Sequence, residues 1–157
     1  GIVRGGSAAR AGRHSCLLYD RGVKRGSEMR DVPERCPCTS GSSLGDCCGP
    51  VLAGERAAPT AETLMRSRFT AFALGDRNHL LASWHPDPRP AALDLDESMR
   101  WYRLDIESSS GGSLFEVEGE VTFTAHYRRG AERGSLHERS RFLRANGRWL
   151  YVDGIVG

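Results

Sequence analysis

Residues 113–130, SLFEVEGEVTFTAHYRRG, alternate apolar and polar side chains with a period of two. Such alternation is typical of a β-strand that turns one face to a core and the other to solvent. The stretch predicts a long strand, with Gly119 as a bend or bulge point. Its predicted apolar face comprises Phe115, Val117, Gly119, Val121, Phe123, Ala125 and Tyr127.

Two neighbouring segments carry the same signal. Residues 101–107, WYRLDIE, predict a strand with Tyr102, Leu104 and Ile106 on one face. Residues 134–154, GSLHERSRFLRANGRWLYVDG, predict a hairpin whose turn is the dipeptide at 146–147, because Asn-Gly suits a tight two-residue turn. Several antiparallel strands therefore follow one another in the second half of the chain.

The first half of the chain is helical in pattern. Residues 58–75, APTAETLMRSRFTAFALG, have apolar side chains at helical spacing, with Thr60 as the N-cap and Gly75 at the end. Asp76 can cap a second, shorter helix. Helices followed by antiparallel strands predict an α+β fold, in which helices pack on one face of a curved antiparallel sheet.

A cysteine-rich segment precedes the helices. Residues 36–49, CPCTSGSSLGDCCG, contain four of the chain's five cysteines. Disulfides are disfavoured, because no export signal is visible and such close pairs would close strained rings. A redox dithiol is a weaker alternative, since the segment lacks the Cys-x-x-Cys spacing and a neighbouring histidine. The preferred interpretation is a tetrathiolate metal site formed by Cys36, Cys38, Cys47 and Cys48.

Zinc is the expected occupant of this site, and iron is the competitor. Four thiolates leave no coordination position for water, so the metal is expected to be structural rather than catalytic. Backbone N–H groups of the intervening loop, together with Arg35 or Arg56, are the predicted hydrogen-bond donors around it.

The cysteine segment resembles the SEC-C zinc-binding motif in its Cys-Pro-Cys, Ser40-Gly41 and Cys47-Cys48-Gly49-Pro50 elements. Thr39 departs from the glycine that is usual in that motif. Segments within residues 51–76, 80–96 and 136–154 also resemble the bacterial YchJ-like family. Over roughly residues 34–154 this resemblance implies a SEC-C segment followed by a cone-shaped domain similar to nuclear transport factor 2 or cystatin.

Composition and resemblance together predict three segments: 1–33, 34–54 and 55–157. Residues 1–35 contain 8 Lys and Arg against 4 Asp and Glu, whereas the remainder contains 14 against 16. Residues 1–33 are expected to be a disordered basic segment. Residues 34–54 are the predicted zinc knuckle, and residues 55–157 the predicted α+β domain.

The cone offers a set of polar residues for a pocket. Glu138 falls on the apolar side of its strand, so its carboxylate needs a partner such as Arg68 or Arg100. His137 lies on the opposite side of the same strand, and His126 lies on the polar face of its own. The candidate pocket residues are Trp84, His85, Arg100, His126, His137 and Glu138. No catalytic residue is assigned.

The preferred function is a zinc-binding interaction or adaptor module that binds a protein partner. The alternative is a small-molecule enzyme, such as an isomerase or hydrolase, that acts in the cone while the zinc is purely structural. A small-molecule ligand and a homodimer are further options. A nucleic-acid partner is disfavoured by the near-neutral main segment. No apolar stretch suits a membrane helix, and a cytoplasmic location is expected.

Overall fold

The computed structural model describes residues 33–157, and the prediction of disorder for the segment before them lies outside that range. The architecture is α+β, as the sequence predicted, with a four-stranded antiparallel sheet in the order β1-β2-β3-β4. The helices are α1 (Gly49–Leu52), α2 (Ala61–Leu74) and α3 (Arg77–Ala82). The strands are β1 (Met99–Gly111), β2 (Glu118–Arg129), β3 (Glu132–Ala145) and β4 (Arg148–Val156).

Helix α2 begins and ends at the residues that the sequence indicated. The Thr60 side chain accepts a hydrogen bond from the Thr63 backbone N–H at 3.1 Å, which satisfies a donor that has no partner within the helix. Gly75 ends the helix in the left-handed conformation, with a φ of 78°. Asp76 then caps α3 by accepting from the His79 N–H at 3.0 Å.

The core lies between α2 and the inner face of the sheet. Phe69 of α2 meets Trp101 of β1 edge to face, with ring centroids 6.3 Å apart. From β2, Val121 and Phe123 are buried beneath the helix. The predicted alternation of β2 is therefore confirmed from Gly119 onward, where every second residue faces the core.

The start of that strand was predicted too early. The chain turns at Gly111 and Gly112, both with positive φ, and strand pairing begins only at Glu118. Phe115, placed on the apolar face by the sequence pattern, is instead 92% exposed. Gly119 is not a bulge: a Cβ there would lie 2.6 Å from the Cα of Gly112, so the glycine permits a close approach of two backbones.

Strand β1 contains an irregularity that the sequence did not reveal. Its register with β2 shifts between Trp101 and Arg103, and again between Ile106 and Ser108. Because of the first shift, Trp101 points into the core and Tyr102, which the period-two pattern placed with Leu104, is exposed. The hairpin turn was predicted correctly, since Asn146 and Gly147 have φ values of 53° and 76°.

The cysteine-rich segment packs directly against this core. Cys36, Cys38 and Cys48 are buried in the same apolar cluster as Phe69 and Trp101. Helix α1 continues the chain from this segment toward α2. Within residues 33–157, no helix is long and apolar enough to span a membrane.

Thr39 fastens the segment to the edge of the sheet. Its hydroxyl accepts a hydrogen bond from the Leu104 N–H at 3.2 Å and lies 3.0 Å from the Leu104 carbonyl oxygen. The same hydroxyl is 2.6 Å from the Cys38 carbonyl oxygen. Thr39 has a φ of 59°, a conformation that disfavours β-branched residues by about 1–3 kcal/mol. The hydrogen bonds to β1 therefore compensate for the backbone strain that a glycine would avoid.

We predict that Thr39→Val lowers the free energy of unfolding by about 1–3 kcal/mol, because the Leu104 N–H loses its partner in a part-buried position. Chemical denaturation of the metal-loaded protein measures this change. Thr39→Ser retains the hydroxyl and is the matched control, expected to lie within about 0.5 kcal/mol of the wild type. Equal stabilities for the valine and serine variants would contradict the role given to the hydroxyl.

Candidate functional site

The thiols of Cys36, Cys38, Cys47 and Cys48, termed here the cysteine cluster, converge on one point. Their four sulfur atoms all lie within 4.8 Å of one another. The Cys38 and Cys47 sulfurs are 3.6 Å apart, and those of Cys47 and Cys48 are 3.9 Å apart. Three of the four residues are buried and Cys47 is half-buried.

The local backbone explains this convergence. The Cys36 N–H donates to the Ser42 carbonyl at 2.9 Å and so closes a tight loop around the first pair of cysteines. The second pair follows a turn in which the Leu44 carbonyl accepts from the Cys47 and Gly49 N–H groups, at 3.2 and 2.8 Å. Gly49 is required there, because a Cβ would lie 2.7 Å from the Leu44 carbonyl oxygen.

The spacing of the sulfurs suits a tetrahedral metal ion. With metal–sulfur bonds of about 2.3 Å, a regular tetrahedron has sulfur–sulfur edges of about 3.8 Å, close to the 3.6 and 3.9 Å observed. All four cysteines are free thiols rather than disulfides. The cluster could therefore hold one metal ion, and its thiol-only donor set is the one that zinc and iron–sulfur chemistry prefer.

The electrostatics of the cluster favour a thiolate at Cys38. Hydrogen bonds with Cys36 and Cys48 lower the pKa of the Cys38 thiol far below its ordinary value. The hydrogen bond with Cys36 is the main cause that raises the pKa of Cys48, and burial raises the pKa of Cys47. Without a metal, negative charge therefore concentrates on Cys38.

A positively charged donor next to the Cys38 sulfur is Arg66 of α2. Its Nη1 lies 3.7 Å from the Cys38 sulfur and donates to the Cys38 carbonyl at 3.2 Å, while its Nε donates to Glu62 at 3.2 Å. One turn further along the same helix, the Thr70 hydroxyl is 3.6 Å from the Cys36 sulfur. Helix α2 thus supplies both a positive charge and a hydroxyl to the cluster.

Sequence reasoning missed both of these residues. It proposed Arg35 or Arg56, but the Arg35 guanidinium donates to the Gly41 carbonyl at 3.1 Å, and no contact of Arg56 with a sulfur is found within residues 33–157. Arg66 and Thr70 share a helical face through their spacing of four residues. That spacing was visible, but the sequence did not indicate that the cysteine segment packs against this face.

The predicted pocket residues divide between the two faces of the sheet. His126 and His137 lie on the outer face, where their Nε2 atoms contact Asp105 at 2.8 Å and Glu107 at 3.0 Å. Arg100 is exposed on β1. These three residues are therefore not brought together with Glu138, which points to the inner side.

Two predicted residues, Trp84 and Glu138, both contact Tyr151, which also lies against Arg68; Arg68 and Glu138 are buried, and the two aromatic residues are half-buried. These four residues are termed the interior polar cluster. Tyr151 contacts the other three: its ring meets Trp84 edge to face at 5.2 Å, its ring lies 4.3 Å from the Arg68 guanidinium, and its hydroxyl donates to Glu138 at 3.1 Å. His85 adjoins the cluster through its backbone N–H, which donates to the Tyr151 carbonyl at 2.7 Å.

Burial shifts the pKa values of two side chains in the interior polar cluster, Arg68 and Tyr151. It lowers the pKa of the Arg68 guanidinium to about 10, although the nearby Tyr151 and Glu138 act in the opposite direction. Burial, reinforced by Glu138, raises the pKa of the Tyr151 hydroxyl, which therefore stays protonated and donates its hydrogen bond. The cluster holds a cation, an anion and two aromatic rings within the fold.

Comparison with known proteins places the chain among bacterial relatives. A UPF0225 protein from Streptomyces coelicolor is 55% identical over 119 residues, which span 76% of this chain and 93% of the relative. A UPF0225 protein from Corynebacterium glutamicum is 48% identical over 123 residues, which span 78% of this chain and 98% of the relative.

Two solved structures share the fold. A SEC-C motif containing protein from Rhodopseudomonas palustris, solved in solution, superposes with a TM-score of 0.68 at 37% identity, over 78% of this chain and 98% of the other. A sec-c motif containing protein from Psychrobacter arcticus, solved by crystallography, superposes with a TM-score of 0.62 at 23% identity, over 78% of this chain and 82% of the other.

The family model described as the YchJ middle NTF2-like domain matches residues 60–154, which include α2, α3 and nearly the whole sheet. The matched regions of the two UPF0225 relatives, 119 and 123 residues, are longer than the segment that the family model covers. The chain therefore belongs to the YchJ-like family of UPF0225 proteins.

Proposed function

We propose that the cysteine cluster binds one Zn²⁺ ion and that the protein works as a zinc-stabilised interaction module. The convergence of four free thiols within 4.8 Å carries the first part of this proposal. Zinc is preferred because it favours tetrahedral thiolate sites. Since zinc has no redox chemistry, its role in this site would be to stabilise the fold. Iron is the alternative occupant.

In this proposal the metal has a structural role. Four cysteine ligands complete a tetrahedron and leave no position for a water molecule or a substrate. Three of the ligands are buried in the main core, so the ion stabilises the α+β fold as well as its own loop. Structural zinc contributes on the order of 10–16 kcal/mol in small zinc-finger peptides.

The proposed contact with a protein partner lies at residues 113–117, termed here the apolar turn. Phe115 is 92% exposed, and Leu114 and Val117 are also exposed. The turn is nevertheless held in place, since the Arg144 N–H donates to the Val117 carbonyl at 2.8 Å and the Arg144 guanidinium donates to the Leu114 carbonyl. An exposed aromatic side chain on a fixed turn is suited to insertion into an apolar pocket of another protein.

The zinc assignment is tested by metal analysis of reduced, untagged protein. We expect one zinc ion per chain in the wild type and in Cys16→Ser, the matched control at the fifth cysteine of the chain. Cys47→Ser should lose most of the metal, because a hydroxyl is a poor zinc ligand beside three thiolates. A wild-type protein with little zinc, or with iron in its place, would contradict the assignment.

The partner site is tested by photo-crosslinking in cells, with a photoreactive phenylalanine in place of Phe115 and, as control, in place of Ala131. Both side chains are exposed, but they lie at opposite ends of β2. We expect a discrete protein adduct from position 115 only. Excess wild-type protein should suppress it, and excess Phe115→Ser protein should not. Equal or absent adducts at the two positions would overturn the assignment of the turn.

A further inference from the structure

The interior polar cluster contains two opposite charges that are buried but do not touch. Arg68 is 2% exposed and Glu138 is 4% exposed. Glu138 acts to raise the pKa of Arg68, yet within residues 33–157 the two form no ion pair with each other or with another residue. Burial of a charge without an opposite charge in contact is unfavourable, so this arrangement requires an explanation.

Arg68 has donors that have no partner among residues 33–157. Its Nη1 donates to the Leu80 carbonyl at 2.8 Å and to the Ser83 hydroxyl at 2.7 Å. Its Nε and Nη2 donate to none of the residues that the structure describes. A guanidinium presents these two remaining groups in the parallel geometry that binds both oxygens of a carboxylate.

Glu138 has an acceptor that is left without a donor in the described part of the chain. Its Oε2 accepts hydrogen bonds from the Ser140 hydroxyl at 2.8 Å and from the Tyr151 hydroxyl at 3.1 Å. Its Oε1 accepts from no described residue. The strand opposite makes room for this carboxylate, because a Cβ on Gly154 would lie 2.0 Å from Oε2.

Trp84 supplies a third unused group in the same place. Its indole Nε1 is buried and has no hydrogen-bond partner among the described residues. Buried side-chain donors without a partner are rare, and each calls for a ligand, a water or a functional role. Trp84 also forms a wall of the cluster, since its ring lies 5.0 Å from the Arg68 guanidinium and 5.2 Å from the Tyr151 ring.

These three groups define the charge of a complementary ligand. A simple anion would pair with Arg68 and leave Glu138 alone with a second negative charge. A simple cation would pair with Glu138 and repel Arg68. A small zwitterion satisfies both, since its carboxylate accepts from Arg68 and from the Trp84 indole while its ammonium donates to Glu138.

We propose that the interior polar cluster is a binding site for a free α-amino acid. Arg68 binds the carboxylate and Glu138 binds the ammonium group. Tyr151 positions both protein charges through its ring and its hydroxyl. The site is independent of the cysteine cluster, so the amino acid binds whether the metal is zinc or iron.

The test uses the full metal-loaded chain and each proteinogenic α-amino acid in turn, with binding followed through the Trp84 indole N–H signal in NMR spectra. We expect saturable binding of at least one amino acid with a Kd of about 1 mM or tighter. Its N-acetyl and methyl ester derivatives, which lack the ammonium and the carboxylate respectively, should bind at least about 10-fold more weakly, because each leaves one buried charge unpaired.

Two variants separate binding from folding. Glu138→Gln is nearly isosteric and should weaken the amino acid at least about 10-fold. Trp84→Phe removes an indole N–H that has no partner within residues 33–157, so it should weaken binding. Because this variant lacks the NMR probe, its binding is followed by isothermal titration calorimetry, and circular dichroism checks that the fold is intact. The proposal would be overturned if no amino acid showed saturable binding. It would also be overturned if the blocked derivatives bound as tightly as the free amino acid, or if Glu138→Gln kept full affinity.

Discussion

The convergence of four cysteine sulfurs beneath helix α2 is the constraint on which the rest of the structure depends. Residues 36–48 contain few apolar side chains besides the cysteines, so hydrophobic burial alone gives this loop little stability. Its fixed conformation instead brings thiols into the core, next to Phe69 and Trp101. An ion bound by those thiols would remove the repulsion between thiolates and hold loop, helix and sheet together.

Helix α2 connects the two sites of the molecule. Arg66 and Thr70 face the cysteine cluster, whereas Arg68 points to the interior polar cluster and Phe69 fills the core between them. This division follows from helical geometry, because neighbouring positions differ by about 100° around the axis. Within little more than one turn, residues 66–70 therefore contact the cysteine cluster, fill the core and supply the buried charge of the interior polar cluster.

The sequence was most informative where a single local rule decides the structure. Thr60 and Gly75 indicated the ends of α2, and Asn146 and Gly147 indicated the hairpin turn. The alternation along β3 correctly predicted that Glu138 lies on the inner face of the sheet. It was least informative where contacts between distant segments decide. The early start predicted for β2 failed because period two continues by coincidence through the turn before Glu118.

The same limit applies to the candidate sites. Cysteine spacing predicted which sulfurs come together, since all four lie in one short segment. The roles of Arg66 and Thr70 depend on which segments pack against α2, and the sequence pattern does not specify this. Thr39 is a related case: the sequence showed its departure from the usual glycine, but not that its hydroxyl joins the loop to Leu104 of β1. The central claim, an ion held by four thiolates, is tested most directly by X-ray absorption at the zinc edge on the purified protein. The account predicts a single shell of sulfur atoms at about 2.3 Å, and a shell of nitrogen or oxygen at about 2.0–2.1 Å in place of any of these sulfurs would contradict it.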